Sequence, residues 1–97
     1  MLVGLERFDL RIPGCGSLKE KRHVVKTLTG GIRQKFNVSV AEVDHHDLWQ
    51  RTTIAVGAVS EGSYHARRVL HEVEKFVERF GPVEVIDAEL TLHYPED

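Results

Sequence analysis

The residues best suited to chemistry lie at Pro13-Gly14-Cys15-Gly16-Ser17-Leu18-Lys19-Glu20-Lys21-Arg22, where a glycine-bracketed turn runs into three cations. Ser17 and Glu20 stand at the S-x-x-E spacing of a capping box and predict a helix over residues 18–36. A helix start presents unpaired N–H groups and a partial positive charge, which attract anions. Gly14, Gly16 and Ser17 are therefore candidates to hold a small anion. The segment is not a nucleotide loop, because neither G-x-x-x-x-G-K-[ST] nor G-x-G-x-x-G is completed. A tight turn with a glycine at positive φ accounts for the same residues without a ligand.

The cations continue along the predicted helix. At about 100° per residue, Lys19, Arg22, Lys26 and Arg33 fall within about 60° of one another, on the flank of the apolar face rather than opposite it. Lys21 points closer to the core and has to snorkel outward. A line of cations along a helix matches a phosphate backbone. Lys19, Lys21, Arg22, Lys26 and Arg33, with Arg51 at the margin, are thus candidate RNA contacts. A solvated helix face is the plain alternative, since Lys and Arg are good helix formers.

Other chemically capable residues are less organised. Asp44-His45-His46-Asp47 offers ligand types suited to Zn²⁺. Neighbouring side chains on extended backbone diverge, however, and no recognised metal spacing accompanies them. The segment reads as a polar connector whose Asp side chains bond local backbone, and no metal or cofactor is expected. Trp49 is the single tryptophan. Such a ring stacks bases in single-strand binders, but burial is the commoner fate of a large aromatic, and Trp49 is expected to close one end of the core. The aromatic signature with which RNA-recognition domains read bases is missing from Thr53-Ile54-Ala55-Val56-Gly57-Ala58-Val59. Cys15 lies near a helix start, which lowers thiol pKa values, yet no base or orienting group stands beside it in sequence. No catalytic residue is assigned, and the protein is expected not to be an enzyme.

The elements that position these residues follow from periodicity. Residues 2–12 alternate as a strand with Phe8, Leu10 and Ile12 on one face and Arg7, Asp9 and Arg11 on the other. Leu18, Val25, Leu28, Ile32 and Phe36 keep helical spacing. Gly30-Gly31 interrupts that helix, and each glycine costs about 1 kcal/mol relative to Ala, so a bend or a weakened last turn is expected. Val38–Val43 and Gln50–Ser60 form a hairpin. Ala66, Val69, Leu70, Val73, Phe76, Val77 and Phe80 mark a second helix, which Gly81-Pro82 ends. Val83–His93 is the last strand, with Ile86, Ala88, Leu90 and Leu92 facing the core. The order β-α-β-β-α-β is the ferredoxin-like α+β pattern, with an antiparallel sheet ordered 4-1-3-2 and both helices on one face. The face left open carries Val3, Leu5, Arg7, Asp9 and Arg11, then Arg51, Thr53, Ala55 and Gly57, then Val83, Val85, Asp87 and Glu89. Its aliphatic content predicts a homodimer paired through sheet faces or edges.

Ninety-seven residues, 41% of them hydrophobic, suit a single domain, residues 1–97. The net charge of −2 is unevenly spread, +3 over residues 1–51 and −5 over residues 52–97, consistent with a basic binding face. One cysteine precludes an internal disulfide, and a reducing cytoplasm is the expected setting. No apolar run approaches the ~20 residues of a membrane span, and the first ten residues lack a signal-peptide pattern.

Three blocks, Ser17–Arg22, Phe36–His45 and Asp47–Arg51, together resemble the YlxP-like family of small bacterial proteins of undefined function, and the resemblance extends over nearly the whole chain. It implies a ferredoxin-like domain in a cytoplasmic bacterial protein. It also implies an association, by gene neighbourhood, with translation initiation and ribosome maturation factors. That family supplies no catalytic residues to transfer, and Gly30-Gly31 departs from the helix-favouring residues expected there. The sequence thus predicts a non-enzymatic module binding RNA or the ribosome through the first helix. The alternative is a self-associating regulatory module that holds a small anion near residues 14–17. An acylphosphatase-like enzyme ranks last, because the first loop does not resemble G-x-V-Q-G-V-x-F-R.

Overall fold

The structure, a computed structural model, describes residues 1–95; the last two residues of the expected 1–97 domain lie outside them. The elements are β1 (Leu2–Arg11), α1 (Leu18–Lys35), β2 (Ser39–Asp44), β3 (Arg51–Ser60), α2 (Ser63–Glu78) and β4 (Glu84–His93). The sheet is antiparallel in the order β2-β3-β1-β4, with β1 and β3 central. This is the ferredoxin-like α+β arrangement predicted from the sequence. No helix among the described residues is long and apolar enough to cross a membrane.

Alternation on the central strands places Phe8, Leu10, Ile54 and Val56 beneath the helices, where they are buried against Leu28 and Ile32 of α1 and Leu70, Val73 and Val77 of α2. Burying each such side chain contributes about 1.5–3 kcal/mol. The helices approach closely where Gly31 meets Phe76: a Cβ at Gly31 would lie 2.9 Å from Phe76 Cζ. The glycine pair does not interrupt α1, which is helical through Lys35. Packing against α2 holds the turn that intrinsic propensity weakens.

One prediction about β4 is corrected. Asp9 pairs with Asp87, but Leu10 pairs with Val85, so Ile86 is an extra residue that shifts the phase of the strand. Val83 and Val85 consequently pack on the core, and Ile86 is exposed. Asp87 and Glu89 lie on the open face as expected, beside Arg7, whose guanidinium lies 3.4 Å from Asp9, 3.7 Å from Asp87 and 3.4 Å from Glu89.

Candidate nucleic-acid interface

The predicted capping box is formed and closed. Glu20 N–H donates to Ser17 Oγ (3.1 Å) and Gly16 N–H donates to Glu20 Oε2 (3.0 Å). Gly14 adopts a φ of 73°, which its missing Cβ allows. The donors proposed for a small anion at Gly14, Gly16 and Ser17 are thus partly engaged within the chain, with the carboxylate of Glu20 where an outside anion would sit. Cys15 is buried, and its thiol faces Ser17 O at 3.5 Å.

Lys21 does not snorkel. It is 1% exposed, its Nζ is 3.0 Å from Glu42 Oε2, and it donates a second hydrogen bond to the carbonyl of His45. Thr52 Oγ1 donates to the same Glu42 oxygen at 2.5 Å. Burial without partners would cost Lys21 several kcal/mol; here an anion, a carbonyl and a hydroxyl complete the cluster. Lys21 therefore leaves the set of candidate phosphate contacts, because its ammonium has no route to solvent.

The Arg33 contact with β2 sets which way the remaining cations face. Lys21 reaches Glu42 of β2, and Arg33 donates to Val40 O of the same strand at 3.0 Å. The Arg33 flank of α1 accordingly runs along the β2 edge, with Lys21 beneath the helix about 120° around it. Arg22 and Lys26 project within about 20° of Arg33, and Lys19 within about 40°. Lys19, Arg22, Lys26 and Arg33 are exposed. None forms an ion pair among the described residues.

The loop before α1 and the β2–β3 turn are fastened together. Ile12 N–H donates to Gln50 O (2.9 Å), and Gln50 Nε2 donates to Cys15 O (3.2 Å). His45 has a φ of 61°, its N–H donates to Asp44 Oδ1 at 2.7 Å, and its carbonyl accepts from Leu48 N–H as well as Lys21. Asp44 therefore serves as a turn-former, as expected of a polar connector. No three His, Cys, Asp or Glu side chains gather as a metal-holding group among the described residues.

Trp49 corrects a further expectation. Rather than closing the core it is 51% exposed, next to Leu48 at 48%. An open hollow of about 390 Å³ is lined by Asp47, Leu48, Trp49, Gln50 and Arg51. Arg51 is half-buried, and its Nε is buried with no partner among the described residues. Sequence reasoning also passed over Glu6. Alternation with Phe8 puts it on the helix-covered face, where it is 3% exposed. Burial, a hydrogen bond that the protonated carboxyl donates to the Glu74 side chain, and the charges of Glu74 and Glu78 push its pKa from 4.5 up to about 8.

Residues 3–90 match the family model described as "Protein of unknown function (DUF503)". The chain belongs to this family. It is 36% identical over 83 residues to "Uncharacterized protein YlxP" of Bacillus subtilis (strain 168), covering 86% of this chain and 90% of that protein. Among solved structures, the de novo designed protein Foldit4 superposes with a TM-score of 0.54 at 10% identity, over 99% of this chain and 100% of that one; this is a likeness of fold alone. The three blocks that carry the family resemblance in sequence meet in space. Lys21 of the first bonds Glu42 and His45 of the second, and Gln50 of the third bonds Cys15 just ahead of the first.

Proposed function

We propose that this protein is a non-enzymatic module that binds RNA, free or within the ribosome, through the outer flank of α1. Lys19, Arg22, Lys26 and Arg33 contact phosphates, with Arg51 at the margin. The observation that carries this reading is the set of exposed cations, without ion pairs among the described residues, on the flank that Arg33 holds along β2. At 1.5 Å per residue they extend over about 20 Å of helix, a span suited to several successive phosphates. The open sheet face is a poorer place for RNA: Asp9, Asp87, Glu84 and Glu89 outnumber Arg7, Arg11 and Arg51 there. The small-anion reading is weaker still, since Gly16 and Ser17 already serve the capping box.

Lys19→Glu combined with Lys26→Glu tests the proposal by co-sedimentation with ribosomes and by RNA titration across salt concentrations. Wild-type affinity is expected to fall steeply with salt. The double variant should bind more weakly, with a log–log slope shallower by about 1.4 for two lost contacts on a single strand. Equal binding by wild type and variant removes α1 from the interface.

A homodimer paired through the open sheet face is a second reading, favoured by Leu5 and Val59, two exposed aliphatic side chains on neighbouring strands of that face. A monomer mass by sedimentation at high protein concentration overturns it.

A further inference from the structure

We infer that the bound RNA is single-stranded and that one of its bases stacks on Trp49. This rests on the RNA reading above and adds what that reading leaves open, namely which form of RNA and what contacts its bases. Three observations carry it.

The first is that Trp49 and Leu48 are side by side, each about half exposed, over a hollow of about 390 Å³. A ring left in water at this cost in apolar exposure offers a flat surface that a planar base can cover.

The second is that the platform is built before any ligand arrives. Lys21 and Leu48 N–H both bond the His45 carbonyl, Asp44 bonds His45 N–H, and Gln50 bonds Cys15 and Ile12 on the facing loop. Little backbone ordering remains to oppose binding, which favours affinity.

The third is charge. The Lys21 bond to His45 ties the turn to the early turns of α1, whose outer side carries Lys19 and Arg22 at about 160° and 100° around the helix from Lys21. Arg51 adds a guanidinium to the wall of the hollow itself, and Asp47 is the only acid in that wall. A row of cations for the backbone and an aromatic platform for a base, together on one small domain, are the combination by which proteins hold single strands. A duplex keeps its bases stacked inside and can use the cations alone. The sheet face offers no substitute, because the open positions of β1 and β3 (Val3, Leu5, Arg7, Asp9 and Arg11; Arg51, Thr53, Ala55, Gly57 and Val59) include no aromatic residue.

Trp49 is the single tryptophan of the chain, so its fluorescence reports the site directly. The experiment titrates the protein with a labelled oligouridine, an oligoadenosine and an RNA duplex of matched length. Label anisotropy and tryptophan emission are followed together. Single strands are expected to bind and quench Trp49. Trp49→Ala should weaken them about 5- to 100-fold, and Trp49→Phe should keep most of the affinity. Duplex binding should be unaffected by Trp49→Ala. An unchanged melting temperature shows that the variants remain folded, as suits an exposed side chain. Single-strand binding that is intact in Trp49→Ala, or that leaves emission unchanged, overturns the stacking proposal while the α1 reading stands. Failure of wild type to bind either form at low salt overturns both readings.

Discussion

Lys21 under α1 and Glu6 under α2 are both almost wholly buried on the helix-covered side of the same sheet, at 1% and 3% exposure, and the fold answers them in opposite ways. Lys21 receives the Glu42 carboxylate, which Thr52 also bonds, and the His45 carbonyl. Glu6 receives two further carboxyl groups, Glu74 and Glu78, and is pushed to about 8 chiefly by burial. Its register partners Val56 and Leu90 bring no charge. A buried ion is expensive unless it is compensated. The α1 side keeps its ion and uses it to hold a helix against a turn. The α2 side keeps its acid neutral by leaving the proton on. The first arrangement is a structural fixture of the candidate interface; the second ties the seating of α2 to pH.

The largest effect expected from breaking this contrast is at Lys21. Lys21→Met leaves Glu42 facing the core without its cation and should cost about 3–5 kcal/mol in urea unfolding. It should also release the Trp49 turn. Adding Glu42→Leu is expected to restore much of that stability, because an apolar pair of similar volume replaces an ion pair. A double variant no more stable than Lys21→Met shows that the two side chains are not energetically coupled.

At Glu6 the sign follows from linkage. The folded state holds a proton that the unfolded state releases near 4.5. Stability from this group is therefore complete below that pH and is lost as pH rises toward 8. Glu6→Gln keeps the shape and a donor for Glu74 and removes the titration. It should flatten the decline between pH 4.5 and 8 and stabilise the protein at pH 8 by about 2–3 kcal/mol. Melting curves across that range decide the matter: parallel profiles for the two proteins would show that Glu6 does not hold its proton.

The smallest effects sharpen the comparison where the two helices meet. Gly31→Ala places a methyl group 2.9 Å from the Phe76 ring and should destabilise by about 1–2 kcal/mol. Gly30 faces open space, so Gly30→Ala should stabilise by about 0.5–1 kcal/mol. Equal effects at the two positions would mean that α2 does not press on Gly31.

Local rules made most of the fold legible. Period-2 alternation located β1 and β3, the Ser17–Glu20 spacing located the start of α1, and Gly81-Pro82 marked the end of α2 to within a few residues. Each signal is carried by neighbours in sequence. What escaped depended on partners distant in sequence. Lys21 looked like a surface cation until Glu42, twenty-one residues on, closed over it; Glu42 alternates inward with Val40, and that was the signal to pair them. Glu6 was visible by the same alternation on the Phe8 face. Trp49 followed a general preference for burial, but the hydrogen bonds of its turn hold it outside. Ile86 followed an unbroken alternation that the bulge breaks.

That bulge has a counterpart. Glu42 pairs with Ile54 but Asp44 with Thr53, which leaves Val43 as an extra residue on β2 just as Ile86 is on β4. Each outer strand of the sheet therefore carries one interruption in its ladder, with an exposed aliphatic side chain at the break. An incoming strand from another molecule would find the hydrogen-bonding rhythm out of step partway along either border. Irregularity of this kind discourages edge-to-edge polymerisation into extended sheets. Val43 and Ile86 thus lie exposed where the ladder is interrupted, which opposes the addition of a strand at either border.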